Sequence, residues 1–336
     1  MRVSVLMSVY KEPIEWLRQS IDSILEQTYS DFEFIIICDN PHYQEGIALL
    51  NSYANKDGRI KVLFNETNIG LTKSLNKGLD IAQGEYIARM DADDISFPDR
   101  LSFQINFMES HPNCVASGGF AKIINENGDQ IGKWKTKCLW RELKSSALFI
   151  SPILHPTAFF KRIILDTPVR YDETMRYAQD YALWGSLIGG NEILNCDRLL
   201  LYYRQTQGQI SSNHYEEQAN CAIQTQSVLF EKLNLIVTPE IKKAVALVTK
   251  KQKEESSVEF TYKSLITFAN ENKGKDTIDM TIVKTWLFNC FAQYLRYHCG
   301  FVEANKYIIA YSKAIGCFNM RAYLVLNYSF VRNRLA

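Results

Sequence analysis

Short apolar runs alternate with segments whose apolar residues recur every three or four positions through the first ninety residues of the chain. Val3–Val9 is an apolar run of strand length, the kind a strand buried on both faces produces. Pro13 then opens a segment in which Ile14, Leu17, Ile21, Ile24 and Leu25 share one helical face. Phe32–Cys38 predicts a second strand that stops at Asp39, residues 47–53 a helix, and Ile60–Phe64 a third strand. Leu71, Leu75, Leu79 and Ala82 mark another helix that Gly84 can end, and residues 85–90 form a fourth strand running into Asp91. Strands alternating with helices imply right-handed crossovers and a mostly parallel sheet. Ligands of such sheets bind beyond the carboxyl ends of the strands, where Tyr10, Glu12, Asp39 and Asp91 to Asp94 all fall.

After residue 110 the pattern changes. Residues 114–125 read as a strand and Asn127-Gly128 as a tight turn, so the sheet is expected to become mixed. Beyond Ser211 the signals are helical, broken at Thr238-Pro239 and by the hydrophilic run 250–257. The predicted organisation is an α/β catalytic domain over 1–212, with a nucleotide-facing half 1–110 and an acceptor half 111–212, followed by a helical region over 213–336.

Composition narrows the classes. The 336 residues are 46% hydrophobic and 22% charged, as in ordinary globular proteins. A net charge of +1 argues against nucleic acid as a partner. The charge is uneven, however: residues 286–336 carry Arg296, Lys306, Lys313, Arg321, Arg332 and Arg334 against Glu303 alone, +5 there and −4 elsewhere. Eight cysteines without a CxxC pair, and an N-terminus lacking a secretory pattern, point to reduced thiols and a cytoplasmic location. No apolar stretch reaches the roughly 18 residues needed to cross a bilayer.

The most informative stretch is Arg89-Met90-Asp91-Ala92-Asp93-Asp94. Three carboxylates in four residues repel one another unless a cation sits among them. In extended backbone Asp91 and Asp93 face the same way, and Ala92 leaves room for the ligand. Hard oxygen ligands suit Mg²⁺ or Mn²⁺, which also take oxygens from a diphosphate. Capping of the helix expected near Pro98 would account for one of these aspartates, not three. Asp39 is placed either to accept hydrogen bonds from a nucleobase or ribose, or to initiate a turn before Asn40-Pro41. Before the third helix Gly70 permits close backbone approach to a ligand, with Asn68 as loop-stabiliser or helix cap.

Read in order, Val3-Ser-Val-Leu-Met-Ser-Val-Tyr10 with Glu12, the Asp39 strand end, Asn68-x-Gly70-Leu71, Ser74-Leu-Asn76-Lys-Gly78-Leu79, Gly84-Glu-Tyr86 through Asp91-x-Asp93-Asp94, Phe97-Pro-Asp-Arg100-Leu, Ile153-Leu-His155-Pro-Thr157 and Gln179-Asp180-Tyr181-x-Leu-Trp184 closely resemble family 2 glycosyltransferases over residues 1 to about 210. The resemblance implies a Rossmann-like GT-A fold with a mixed, mostly parallel sheet. It implies an inverting, metal-dependent transfer from a nucleotide-diphospho-sugar, by default a UDP-sugar, to a glycan or lipid-linked acceptor in surface polysaccharide or lipopolysaccharide synthesis. By the same resemblance Tyr10, Glu12, Asp39, Asn68 and Lys73 line the donor pocket. Asp91 approaches the ribose, Ala92 belongs to the donor site beside it, Asp93 with Asp91 holds the metal, and Asp180 is the base.

Without the resemblance, Asp180 reads first as a cap on the helical run of Leu183, Trp184 and Leu187. His155, biased to extended backbone by Pro156, and Trp184 are further candidates for acceptor or diphosphate contact, each with a structural alternative: a backbone-bonded histidine and a core tryptophan.

The chain departs from the family pattern in three places. Gln179 stands where a Glu is common, Thr206 stands where the family frequently carries a His as a third metal ligand or phosphate contact, and QxxRW is absent, which favours single addition over processive synthesis. A catalytically silent protein of the same fold is the competing reading, opposed by the intact Asp91, Asp93 and Asp180. In the last third, basic and aromatic residues interleave from Tyr294 to Arg334, the composition of either a helical cap or a peripheral contact with the inner face of a membrane.

Overall fold

The computed structural model describes residues 1–206, 214–250 and 257–335, with backbone alone for Tyr215, Lys250 and 328–335. It divides into two compact units, Met1–Trp140 with Ser151–Cys221, and Arg141–Ile150 with Ala222–Ala336.

Among the described residues the first unit is built on a nine-stranded sheet. β1 (Val3–Val9), β2 (Phe32–Cys38), β3 (Ile60–Phe64) and β4 (Tyr86–Asp91) are parallel and lie in the order β3-β2-β1-β4, separated in sequence by α1 (Ile14–Leu25), α2 (Gln44–Lys56) and α3 (Leu71–Ile81). β1 and β2 are buried almost throughout because helices cover both faces. Leu17, Ile21, Ile24 and Leu50 fill one core layer with the inner faces of the sheet. On the other face α3 lies close enough that a Cβ on Gly78 would stand 2.2 Å from the Leu6 side chain.

Beyond β4 the sheet turns mixed, as predicted. β5 (Ile95–Ser96) and α4 (Arg100–Ser110) lead to β6 (Cys114–Ile124), which Asn127-Gly128 joins to antiparallel β7 (Gln130–Trp134), with Gly128 at φ 89°. After α5 (Trp140–Ser146), β8 (Phe159–Lys161) inserts antiparallel between β4 and β6. The two-residue strands β9 (Ile163–Ile164) and β10 (Thr167–Pro168) form a separate ribbon. Helix α6 (Gln179–Leu187) precedes β11 (Glu192–Arg204), which runs parallel to β6 and antiparallel to β5. The β5 pairing carries the end of β11 back beneath the loop that follows β4.

The second unit is helical: α7 (Tyr215–Lys232), α8 (Pro239–Lys250), α9 (Val258–Glu271), α10 (Met280–His298), α11 (Phe301–Ile315) and α12 (Met320–Leu335). Its core gathers Leu265, Phe268, Val283, Leu287, Phe288 and Phe291. Thr238-Pro239 starts a helix instead of merely interrupting one, since proline at the first helical turn removes only an N–H that has no partner there. The hydrophilic run 250–257 lies largely outside the described residues. So do the side chains of Tyr328, Phe330, Arg332 and Arg334.

Candidate active site

The carboxyl ends of β1, β2 and β4 are brought level by their register, Ser8 opposite Asp91 and Val9 opposite Cys38. Tyr10, Glu12, Asp39 and the Asp91–Asp94 turn therefore open from one edge of the sheet. One oxygen from each of Asp91, Asp93 and Asp94 lies within 4.8 Å of the others. Asp94 is fully buried; its Oδ1 accepts from the Arg204 backbone N–H at 2.8 Å, and its Oδ2 has no hydrogen-bond partner among the described residues. Burial, then the charges of Asp93 and Asp91, hold the Asp94 carboxyl well above the usual range. Burial, then Asp91 and Glu12, push the Asp93 carboxyl up to about 7. Burial likewise raises Glu12. A buried carboxylate oxygen without a donor, beside two further carboxylates, is costly unless a proton or cation occupies the gap. Oxygen ligands alone fit Mg²⁺ or Mn²⁺.

Three arginines hold this turn from behind. Buried Arg89 donates to Asp91 Oδ1 and to the Met90 carbonyl. Arg100 donates to the Arg89 carbonyl at 2.7 Å, and burial lowers its pKa to about 10. Arg204, at the end of β11, donates through Nε to the Asp93 carbonyl at 2.8 Å and through Nη2 to Gln19 at 2.9 Å, with its guanidinium over the Trp16 ring. Ser20 of α1 completes the base by donating to the Asp91 carbonyl at 2.8 Å. The backbone that presents the carboxylates is thus fixed by charged donors directed at its carbonyls.

At the end of β2, Asp39 orders the next loop. Its Oδ1 accepts from Asn65 Nδ2 at 2.7 Å and the Ile69 N–H at 2.9 Å, and its Oδ2 accepts from the Gly70 N–H at 2.8 Å. Asn65 in turn donates to Ser74 Oγ and accepts from Lys77 Nζ at 2.7 Å. Gly70 sits at φ 88°, a conformation costly for any side chain, and Asn68 Oδ1 also accepts its N–H at 3.0 Å. Glu12 Oε2 accepts the Tyr10 N–H at 2.9 Å while the Tyr10 ring stays exposed. Lys73 projects from α3 to solvent, and Ala92 is buried in the core layer.

Asp180 occupies the first turn of α6, after Ala178 in left-handed backbone at φ 56°. Its Oδ2 accepts from Ser151 Oγ at 3.1 Å, and burial raises its pKa, with Asp91 adding a smaller repulsion that ties it to the same field. His155 was expected in extended backbone; it instead opens a 3₁₀ turn, His155–Thr157, closed by Thr157 N–H to the Leu154 carbonyl. Pro156 is accommodated there because a helix start leaves its N–H position unpartnered anyway. Nε2 of His155 pairs with the Tyr171 hydroxyl at 2.8 Å, and burial, then Arg89, hold the imidazole well below its usual pKa and therefore neutral. Trp184 is a correction. It is 0% exposed and packs edge-on against Phe160, leaving no face for an acceptor.

Sequence reasoning missed Asn65, Arg204 and the part played by Asp94. The first two gave no local signal, since their partners lie 26 and 111 residues away. Asp94 is one of the three carboxylates of the motif, but the alternation argument pairs only Asp91 with Asp93; the chain turns immediately after β4, which brings Asp94 to them as well.

Residues 4–167 match the family model for glycosyl transferase family 2. The uncharacterised glycosyltransferase MJ1057 of Methanocaldococcus jannaschii is 37% identical over 60% of this chain and 70% of its own. The amylovoran biosynthesis glycosyltransferase AmsE of Erwinia amylovora is 32% identical over 60% and 75% respectively. Among solved structures, S. aureus TarS 1–349 in complex with UDP-GlcNAc aligns with a TM-score of 0.56 at 18% identity, covering 99% of this chain and 92% of that one. The chain belongs to glycosyltransferase family 2, and its mixed, mostly parallel sheet with helices is the GT-A fold.

Proposed function

We propose that the protein is an inverting glycosyltransferase that transfers a sugar from a nucleotide-diphospho-sugar, a UDP-sugar by preference, to an acceptor hydroxyl in surface polysaccharide or lipopolysaccharide synthesis. The carrying observation is the pair of carboxylate sites: the Asp91, Asp93 and Asp94 cluster at the sheet edge, and Asp180 held separately at the start of α6. The likeness to TarS bound to UDP-GlcNAc and to AmsE supports the donor and the pathway class.

In this reading residues 1–212 are the catalytic domain and 213–336 an accessory helical region. Asp93 and Asp91, joined by Asp94, hold Mn²⁺ or Mg²⁺, which when bound neutralises charge on the departing diphosphate. Tyr10 offers an exposed ring beside the nucleoside, and Glu12 and Asp39 set the loops around it, with Asn68 and Lys73 at the rim. Asp180 takes the proton of the acceptor hydroxyl as the oxygen bonds to the anomeric carbon and the bond to diphosphate breaks on the opposite face. A carboxylate whose pKa is raised by burial is a stronger base than a solvated one, and positioned proton transfer is worth about 10²- to 10⁴-fold in rate. His155, neutral and tied to Tyr171, is a candidate hydrogen-bonding contact to diphosphate or acceptor.

Calorimetric titration of UDP-, GDP-, dTDP- and CMP-sugars with and without Mn²⁺ tests the donor and metal together. The expected result is tight binding of one UDP-sugar only with Mn²⁺, lost in Asp93→Ala. Metal-independent binding, or binding of another nucleotide in preference, would overturn the corresponding part.

A further inference from the structure

α11 and α12 pack on α10 and are joined by a short connection after Gly316, which caps α11 in left-handed backbone at φ 63°. Asn305 Nδ2 donates to Asn327 Oδ1 at 2.9 Å and ties the two helices together. On α11 the inward face is Ala304, Ile308, Tyr311 and Ile315, all buried. The opposite face carries Val302, Lys306, Ile309 and Lys313 at helical spacing, all exposed, with Val302 at 79%. On α12, Met320, Arg321, Leu324 and Val325 line one shallow depression of about 500 Å³, with Met320, Leu324 and Val325 each more than half exposed. Exposed Phe318 sits in the connection between them. Single exposed apolar residues are ordinary, but repeated along two neighbouring helices and interspersed with cations they mark a contact surface.

We propose that these outward faces of α11 and α12 dock on an anionic bilayer surface, with the apolar side chains entering the interface and Lys306, Lys313 and Arg321 meeting lipid headgroup charge. Charge complementarity decides the occupant. From residue 286 to the end the chain holds six Lys or Arg and one acidic residue, Glu303. A second copy of the same face would bring Lys306, Lys313 and Arg321 against their own kind with Glu303 alone to pair them, whereas an anionic leaflet attracts each of the three. Among the described residues no helix is long and apolar enough to cross a membrane, so the contact lies on the surface. That such a contact brings the enzyme to a lipid-linked acceptor rests on the proposed function; the contact itself does not.

Flotation of the full chain with vesicles of phosphatidylcholine alone, and with vesicles also carrying phosphatidylglycerol, tests this without donor or acceptor, so its outcome is independent of catalysis. The expected result is binding to the anionic vesicles only, weakening as salt rises. Lys306→Glu/Lys313→Glu/Arg321→Glu should lose binding, since each cation contributes about five-fold. Leu324→Ser/Val325→Ser should lose it separately, with both variants keeping the wild-type circular dichroism and melting temperature. Equal binding to neutral vesicles, no binding to anionic ones, or retained binding in both variants would overturn the proposal. So would a wild-type dimer in light scattering that Leu324→Ser/Val325→Ser dissociates.

Discussion

Asp93 has a carboxyl held near pH 7 by burial and by the charges of Asp91 and Glu12, and that position fixes a sign. Between the ordinary aspartate value and about 7 the folded protein binds a proton that the unfolded chain does not, so the metal-free protein loses stability through this group as pH rises across that window. A divalent cation bound there would take the proton's place and stabilise only the deprotonated site. The melting temperature should therefore rise with Mn²⁺ more at pH 8 than at pH 6, and Asp93→Asn should abolish both the Mn²⁺ effect and its pH dependence. An Mn²⁺ shift of the same size at both pH values would contradict the assignment. Asp39 makes a different kind of contribution. Asp39→Ala leaves the Ile69 N–H unpaired and takes one of two acceptors from both Asn65 Nδ2 and the Gly70 N–H, at about 1 to 3 kcal/mol for a buried group left unpaired, so urea denaturation should show a loss of that order.

Elements bring these residues together. β5 pairs with β11 for two residues only, yet that pairing places Arg204 under the Asp93 carbonyl and its backbone N–H on Asp94. Arg204→Leu keeps the backbone bond but removes the guanidinium donors, and loss of a supporting shell typically costs about 10- to 100-fold in metal affinity. Mn²⁺ titration should show a weakening in that range with an unchanged circular dichroism spectrum; unchanged affinity would mean that Arg204 merely packs. The first three strands were legible to the residue because each is a mainly apolar run, interrupted only by Ser4 and Ser8, by Glu33 or by Lys61, and followed by Tyr10, Asp39 or Asn65. The fourth lay one residue further on than its pattern suggested, ending on Asp91 itself. The clamp from β11 was not legible, since a contact across more than a hundred residues leaves no periodicity behind. Trp184 had spacing compatible with either role, and only its complete burial against Phe160 separates them.

For the molecule as a whole, the sequence pattern carried the α/β half and left the last third to composition. A family pattern ending near residue 210 says nothing of the helices that follow. Their outward faces emerge only once burial distinguishes Ile308 from Ile309 on the same helix. The candidate site lies within the first unit, so donor with Mn²⁺ should slow amide exchange in residues 65–71 and 91–96 by mass spectrometry and leave α10 and α11 as they were. Protection centred on the helical unit would move the donor site.

Under the proposed function Asp180 does the chemistry while the Asp91 to Asp94 cluster holds the donor. Donor binding and nucleotide release should be compared in wild type and Asp180→Asn, with Mn²⁺ and the preferred donor. The account predicts unchanged donor affinity in Asp180→Asn with turnover lower by about 10²- to 10⁴-fold. Turnover at the wild-type rate, or a loss of donor binding that matches the loss of turnover, would contradict it.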